Sequence, residues 1–178
     1  MATQQKMKLL CILFIAYVSL LASAFGQTQP PGPALPKERI AETPALTVVV
    51  ERLQYLGTQD VVFHLAFTNK TNKDVLVISG YPQAEKVIAT DASGQLYRLK
   101  RSIGMERMQP DSWAPESWGT FLTLPAGFPT RATFIFTAAQ TTAQKTPMSF
   151  SAEFKVVTDI KQRAFTTTTI SFLGVKPE

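Results

Sequence analysis

The chain has 178 residues, with 18 Lys and Arg against 13 Asp and Glu, one histidine and one cysteine. A formal charge of +5 distributed along the chain speaks against nucleic-acid binding, which needs a concentrated basic surface or a recognition module. One cysteine excludes an internal disulfide and a cysteine metal cluster.

The amino end reads MATQQKMKLLCILFIAYVSLLASAFG. Lys6 and Lys8 precede an almost wholly apolar run from Leu9 to Leu21, and small residues follow at Ala22, Ser23, Ala24 and Gly26. That three-part order predicts a secretory signal peptide over residues 1–26. The apolar run is shorter than the roughly 20 residues a helix needs to cross a bilayer. Membrane association is therefore expected only through a partner or an uncleaved signal. Cleavage after Gly26 is preferred to cleavage after Ala24. It removes Cys11, makes Gln27 the first mature residue, and leaves 152 residues with a formal balance of +3. A secreted or periplasmic product follows, long enough to bury about two thirds of its extended-chain surface without disulfides.

Residues 27–44, QTQPPGPALPKERIAETP, carry four prolines between Pro30 and Pro36 and a fifth at Pro44. Proline fixes the backbone and removes amide donors, so this segment is expected to be a linker, with the folded domain over residues 45–178. From Thr47 the pattern turns to strands. TVVVERLQYL is rich in β-branched and aromatic residues. VVFHLAF sets Val61, Phe63, Leu65 and Phe67 on one face and Val62, His64 and Ala66 on the other. VLVIS, residues 75–79, is a further strand. Residues 86–90 and 95–100 form a predicted hairpin around Asp91-Ala-Ser-Gly94.

Pro110 and Pro115 break any helix through SIGMERMQPDSWAPESWG. Strand patterning resumes at residues 118–124 and 130–137, joined by PAGFP, and again at 148–158 and 164–175. About eight or nine short strands with almost no helical periodicity predict an all-β fold, an antiparallel β-sandwich rather than a barrel. The expected core takes Val61, Phe63, Leu65, Phe67, Leu76, Ile78, Leu96, Phe121, Phe134, Phe136, Phe150, Phe154 and Phe172, among others.

VVFHLAFTNKTNKDVLV, followed by LTLPAGFPTRATFIF, resembles the strand, Asn-containing turn, strand and later Pro-Gly turn of small immunoglobulin-like domains of bacterial extracytoplasmic proteins. The resemblance spans residues 47–158 and rests on pattern and turn placement. The cysteine pair and intervening core Trp of antibody-type domains are absent. It implies a general immunoglobulin-like β-sandwich used for recognition, assembly or accessory roles, and the fold alone does not choose among them.

No residue set commits to a reaction. His64 has an imidazole suited to proton transfer or metal binding, yet no second histidine or thiol accompanies it, and a strand-surface role is the simpler reading. There is no Gly-x-Ser-x-Gly elbow, zinc-protease motif, calcium loop or phosphate-binding glycine loop. The chain is therefore read as non-enzymatic, with no catalytic residue, cofactor or metal, and a hydrolase ranks third among functions. Asn69-Lys70-Thr71 is an N-glycosylation sequon, a candidate modification site in a compartment with the transferase, and fixing turn geometry is the simpler reading of Asn69. Trp113 and Trp118, with Asp111 and Glu116, form a candidate partner or ligand contact, since indoles anchor proteins and stack on sugars. Residues 75–79 and the Thr-rich 166–169 are candidate sheet edges for strand addition. The leading expectation is a protein-binding or assembly-accessory domain acting on an envelope or secreted protein. A carbohydrate-binding module using Trp113 and Trp118 is the alternative.

Overall fold

The structure, a computed structural model, describes residues 36–79, 86–107, 119–141, 145–159, 162 and 164–178. Its described residues form eleven strands and no α-helix: β1 Ile40–Glu42, β2 Leu46–Leu56, β3 Asp60–Asn69, β4 Val75–Ser79, β5 Val87–Asp91, β6 Leu96–Ile103, β7 Glu106–Arg107, β8 Thr120–Leu124, β9 Pro129–Ala138, β10 Met148–Asp159 and β11 Ala164–Val175. Every strand-to-strand pairing is antiparallel.

The inward face expected of β3 is present, with Val61, Phe63, Leu65 and Phe67 fully buried. On the opposite face His64 and Thr68 are half-buried, but Val62 and Ala66 are buried as well, at 3% and 7% exposed, so the strand is covered on both faces at those positions. β9 and β10 repeat the pattern, burying Phe134 and Phe136 on one strand and Phe150 and Phe154 on the other. These rings meet although β3 and β9 are not hydrogen-bonded to β10. Phe63 and Phe150 have ring centroids 5.4 Å apart, Phe67 and Phe154 5.6 Å, and Phe134 and Phe150 5.8 Å. Two layers therefore face each other across a phenylalanine core.

One layer runs β1-β2-β3-β9-β6 and the other β11-β10-β4-β8-β7. Within them the orders β2-β3-β9-β6 and β4-β10-β11 are the ABED and CFG sheets of an immunoglobulin-like sandwich, in the same chain order. β5 follows β4 end to end along β10. Met148 to Ala152 pair with β5, and Phe154 to Val157 pair with β4. β5 also pairs with β6, which pairs with β9, so one side of the sandwich is closed by backbone hydrogen bonds. On the other side Arg39, 8% exposed, donates to Glu178 Oε1 at 2.8 Å, to the Lys176 carbonyl at 2.9 Å and to the Glu51 carbonyl at 3.3 Å. The Glu178 amide bonds the Leu53 carbonyl.

The hairpin at Asp91 forms as its turn residues predict. Asp91 Oδ1 accepts from the Ser93 amide and hydroxyl and from the Gln95 amide, and Gly94 takes the left-handed φ of 85° that the turn needs. Burial alone raises the Asp91 pKa, but hydrogen bonds from Ser93, Gln95 and Tyr97 outweigh it and hold the carboxyl below its ordinary value. Asp60 is also lowered, chiefly by hydrogen bonds from Lys100 and Thr137.

Three expected core positions differ. Leu96 is 41% exposed, and Tyr97 takes the interior place at 0%. The hairpin register puts Tyr97 opposite Ala89 and Ala138, both buried, so the inward parity of β6 falls on the odd residue. Leu76 and Phe121 are only partly buried. They lie on the outer face of the second layer against Ile78 and Val157, which form a small apolar cluster separate from the main core. The predicted linker also yields residues to the fold: Lys37–Arg39 is a 3₁₀ turn and β1 pairs with β2. Between Pro36 and Pro44 no proline interrupts the amides, so the chain can join a sheet edge there.

Phe150 touches the rings of Phe63, Phe134, Phe136 and Phe172. Phe150→Ala is expected to lower unfolding free energy by about 3–5 kcal/mol, and Phe150→Leu by clearly less; urea melts with an unchanged slope would check this. The acid limb follows from Asp91 and Asp60. Both pKa values are lower in the folded than in the unfolded chain, so their contribution is complete above about pH 4 and is lost as pH falls through the folded values. Melts across that range should show wild type losing stability on acidification more steeply than Asp91→Asn.

Candidate functional site: an open sheet edge

His64 shares a hydrogen bond between Nδ1 and Thr133 Oγ1 at 3.1 Å and lies half-buried on the outer face of β3. Among the described residues no group of three or more His, Cys, Asp or Glu side chains is placed to hold a metal ion. The imidazole thus has the environment of a strand-surface residue. Trp113, Trp118, Asp111 and Glu116 lie outside the described residues.

Asn69, 1% exposed, ends β3 and ties several elements together. Its Nδ2 donates to the Lys73 carbonyl at 2.7 Å and to the Leu124 carbonyl of β8 at 3.0 Å. Its Oδ1 accepts from the Thr71 amide and hydroxyl at 2.9 and 2.8 Å. The Asn69 carbonyl takes the Gly127 amide, and the Lys70 amide reaches the Ala45 carbonyl. One side chain therefore shapes the turn and fastens β3 of one layer to β8 of the other. Both Nδ2 protons are donated, so a glycan at that atom would displace a bond at a buried residue. In the folded domain the Asn-x-Thr signature serves as turn chemistry.

A strand edge presents unpaired amides and carbonyls, and soluble proteins blunt such edges with short strands, charges, bulges or cover. The described edges of this sandwich follow that rule in all cases but one. β1 has three residues and β7 two. β2 beyond Val49 is covered by Arg39 on the Glu51 carbonyl and by the Glu178 amide on the Leu53 carbonyl. β8 beyond Phe121 has its Leu124 carbonyl taken by Asn69. β6 beyond Arg98 carries Lys100 and Arg101 and is kinked by a register shift between Leu99 and Arg101. Lys100 is in turn paired with Asp60 at 2.9 Å.

β11 is the exception. It has twelve residues, AFTTTTISFLGV, with no charge and no proline, and among the described strands it pairs only with β10. Its second half is anchored, with Ile170, Phe172 and Val175 in the core. Its first half is not. Ala164 to Thr167 and Thr169 are exposed and Thr168 is half-buried, so neither face of this stretch is covered. Phe165 remains 45% exposed, with Lys155 Nζ 4.7 Å from its ring centroid. Desolvation lowers the Lys155 pKa more than the nearby Glu153 charge restores it. In an antiparallel ladder alternate residues turn both N–H and C=O away from the partner strand. Along Ala164 to Thr169 those groups point outward, to where a further strand would lie.

Residues 75–79, the other edge expected from sequence, are interior. β4 is paired on both sides, with β10 and with β8, and Val75, Val77, Ile78 and Ser79 are buried. The edge at Thr166 to Thr169 is placed as expected. What sequence reasoning missed was the contrast between β11 and the protected edges, although the absence of charge in residues 164–175 was visible in the chain.

No protein-family model matches the chain, and no curated protein matches it. Among solved structures it is similar to AggA, the major subunit of aggregative adherence fimbriae type I from Escherichia coli. That match has 16% identity over 71% of this chain and 90% of that one, with a TM-score of 0.45. It is also similar to a DUF4426 family protein from Pseudomonas aeruginosa PAO1, with 11% identity over 78% of this chain and 98% of that one and a TM-score of 0.29. At these identities and scores neither likeness carries an argument, and the fold rests on the strand order described above.

Asn69→Ala is expected to cost about 2–3 kcal/mol, since the buried Leu124 carbonyl and the Thr71 amide lose their Asn69 partner while the Lys73 carbonyl loses one of its two. Asn69→Asp should be nearly as costly, because a carboxylate keeps the acceptor and cannot donate to Lys73 and Leu124. Thermal melts of both, beside Asn72→Ala as a control in the same turn, would check this.

Proposed function

We propose that this chain is a non-enzymatic extracytoplasmic protein-binding or assembly-accessory domain that receives an extended partner segment along β11. The observation that carries the reading is the contrast between edges. A sandwich that shortens, charges or covers its other described edges leaves six uncharged residues of a twelve-residue strand with β10 as their one described neighbour, five of them exposed and Thr168 half-buried. Strand addition draws its affinity from main-chain hydrogen bonds and its selectivity from alternate side chains. Here the alternate side chains are Phe165, Thr167 and Thr169 on one face and Ala164, Thr166 and Thr168 on the other.

The location is part of the proposal. Residues 1–26 act as a secretory signal peptide, residues from Gln27 form a proline-rich tether, and the partner is an envelope or secreted protein. Trp113 and Trp118, with Asp111 and Glu116, are proposed as a second contact region.

Two proline substitutions test the edge. Of two adjacent residues in an antiparallel strand, one has its N–H directed outward, and proline there spares the β10 ladder. Of Thr167→Pro and Thr168→Pro, the variant that keeps the wild-type melting transition is expected to lose capture of partners from the native extracytoplasmic fraction. Amides of residues 164–169 in the wild type should gain hydrogen-exchange protection on capture. Undiminished capture by the folded proline variant, with no new protection in β11, would reject the reading. Trp113→Ala and Trp118→Ala in the same assay test the second region.

A further inference from the structure

We propose that the open half of β11 pairs with the same stretch of a second copy of this chain, antiparallel and about a two-fold axis at Thr167. The inference rests on the reading of β11 as a docking edge and names its occupant.

The geometry of a shared sheet restricts the pairing. Opposed residues of an antiparallel ladder place their side chains on the same face, and a two-fold axis perpendicular to the sheet keeps the outer faces of both copies together. Opposed residue numbers must then sum to an even number, since a slip of one residue would set core-facing positions against outward ones. An axis at Thr167 meets this condition. It opposes Thr167 to its own mate, Thr166 to Thr168, Phe165 to Thr169 and Ala164 to Ile170.

The chemistry of the strand suits a copy of itself. Residues 164–175 contain no charged side chain, so no like charges are set directly opposite one another, and Thr-Thr pairs across strands are favourable. The charge on β10 nearest the axis is Lys155, directly across from Thr167. In the joined sheet it lies three strand spacings from its mate, about 14 Å, beyond the screening length of about 8 Å at physiological salt. The overall positive charge of the chain therefore opposes this contact weakly.

Closure supplies the third argument. A two-fold contact uses the open half of β11 in each copy and leaves none over, so assembly stops at two. The other described edges are short, charged or covered, and none offers a further site for growth. Such pairing turns an aggregation-prone edge into an internal one. The paired stretch is short, which places the dimer in the weak range with a dissociation constant of about 10 µM.

The test uses the full chain carrying Cys11→Ser. Light scattering is expected to show a monomer-dimer equilibrium centred in the micromolar range. Thr167→Cys should form a disulfide-linked dimer on mild oxidation, because both kinds of antiparallel pair bring self-opposed α-carbons within disulfide range. Thr123→Cys, exposed on the outer face of β8, should not. Thr167→Glu faces Lys155 within its own chain and so keeps the fold, yet sets two carboxylates against each other across the axis. It should dimerise about tenfold more weakly, and mixing it with Thr167→Lys should restore the dimer.

A chain that stays monomeric at all concentrations overturns the proposal. So does equal crosslinking of Thr167→Cys and Thr123→Cys, or wild-type dimerisation by Thr167→Glu. If the monomeric chain still captures another protein in a β11-dependent way, the two-fold pairing falls and the docking edge stands. If capture is also indifferent to the proline variants, both fall.

Discussion

The ring of Phe150 is the contact on which the two layers of this sandwich depend. It reaches Phe63, Phe134 and Phe136 from the opposing sheet and Phe172 from its own neighbour, with centroid separations of 5.4 to 5.8 Å. Burial of each such side chain contributes about 1.5–3 kcal/mol, and tilted or edge-on ring pairs add about 0.5–1.5 kcal/mol each. These contacts are non-local. β3 and β10 belong to different sheets and meet only once both sheets have formed. The phenylalanines thus set the separation of the layers, while the hydrogen-bonded ladders set what each layer contains.

Around that core the closures differ in chemistry. Continuous hydrogen bonding through β5 and β6 closes one side. The Asn69 amide joins β3 to β8 beside its turn. Arg39, through the Glu178 carboxylate and the Glu51 and Lys176 carbonyls, covers the opposite side. Each device satisfies backbone groups that would otherwise be left unpaired. Among the described residues the first half of β11 receives none of them, and it stays exposed although Phe154, Val156 and Val157 opposite it on β10 are buried. An unsatisfied edge beside a rigid, well-packed strand is already held in the geometry a further strand needs, so little ordering is required on docking.

Local chemistry was legible wherever it acts locally. The two-residue alternation around Phe63, Leu65 and Phe67 reported a strand and its inward face, because successive side chains of a strand point to opposite faces; the burial of Val62 and Ala66 on the other face was not part of that pattern. Asp91 and Gly94 reported a turn, since carboxylate-to-amide bonding and positive φ are properties of those residues themselves. His64 lacked companion ligands in sequence and has a threonine hydroxyl for a partner in the fold. Parity at β6 was not legible. Leu96 and Tyr97 are both apolar enough to be interior, and only the register with β5 and β9 selects Tyr97. Leu76, Ile78, Phe121 and Val157 look like core by composition, and their outer-face cluster exists because β4, β8 and β10 are neighbours.

Residues 75–79 and 166–169 make the division clear. Both are uncharged stretches of strand rich in β-branched residues, and by sequence both qualify as edges. One is enclosed between β10 and β8, and among the described strands the other has β10 alone beside it. Sequence by itself determined that these segments are strands, that the fold is all-β, and where local turns such as Asp91 to Gly94 lie, because propensity, alternation and turn chemistry operate over a few residues. Tertiary structure decided which strand is left with an open side, because neighbours in a sandwich are chosen by long-range packing of whole sheets.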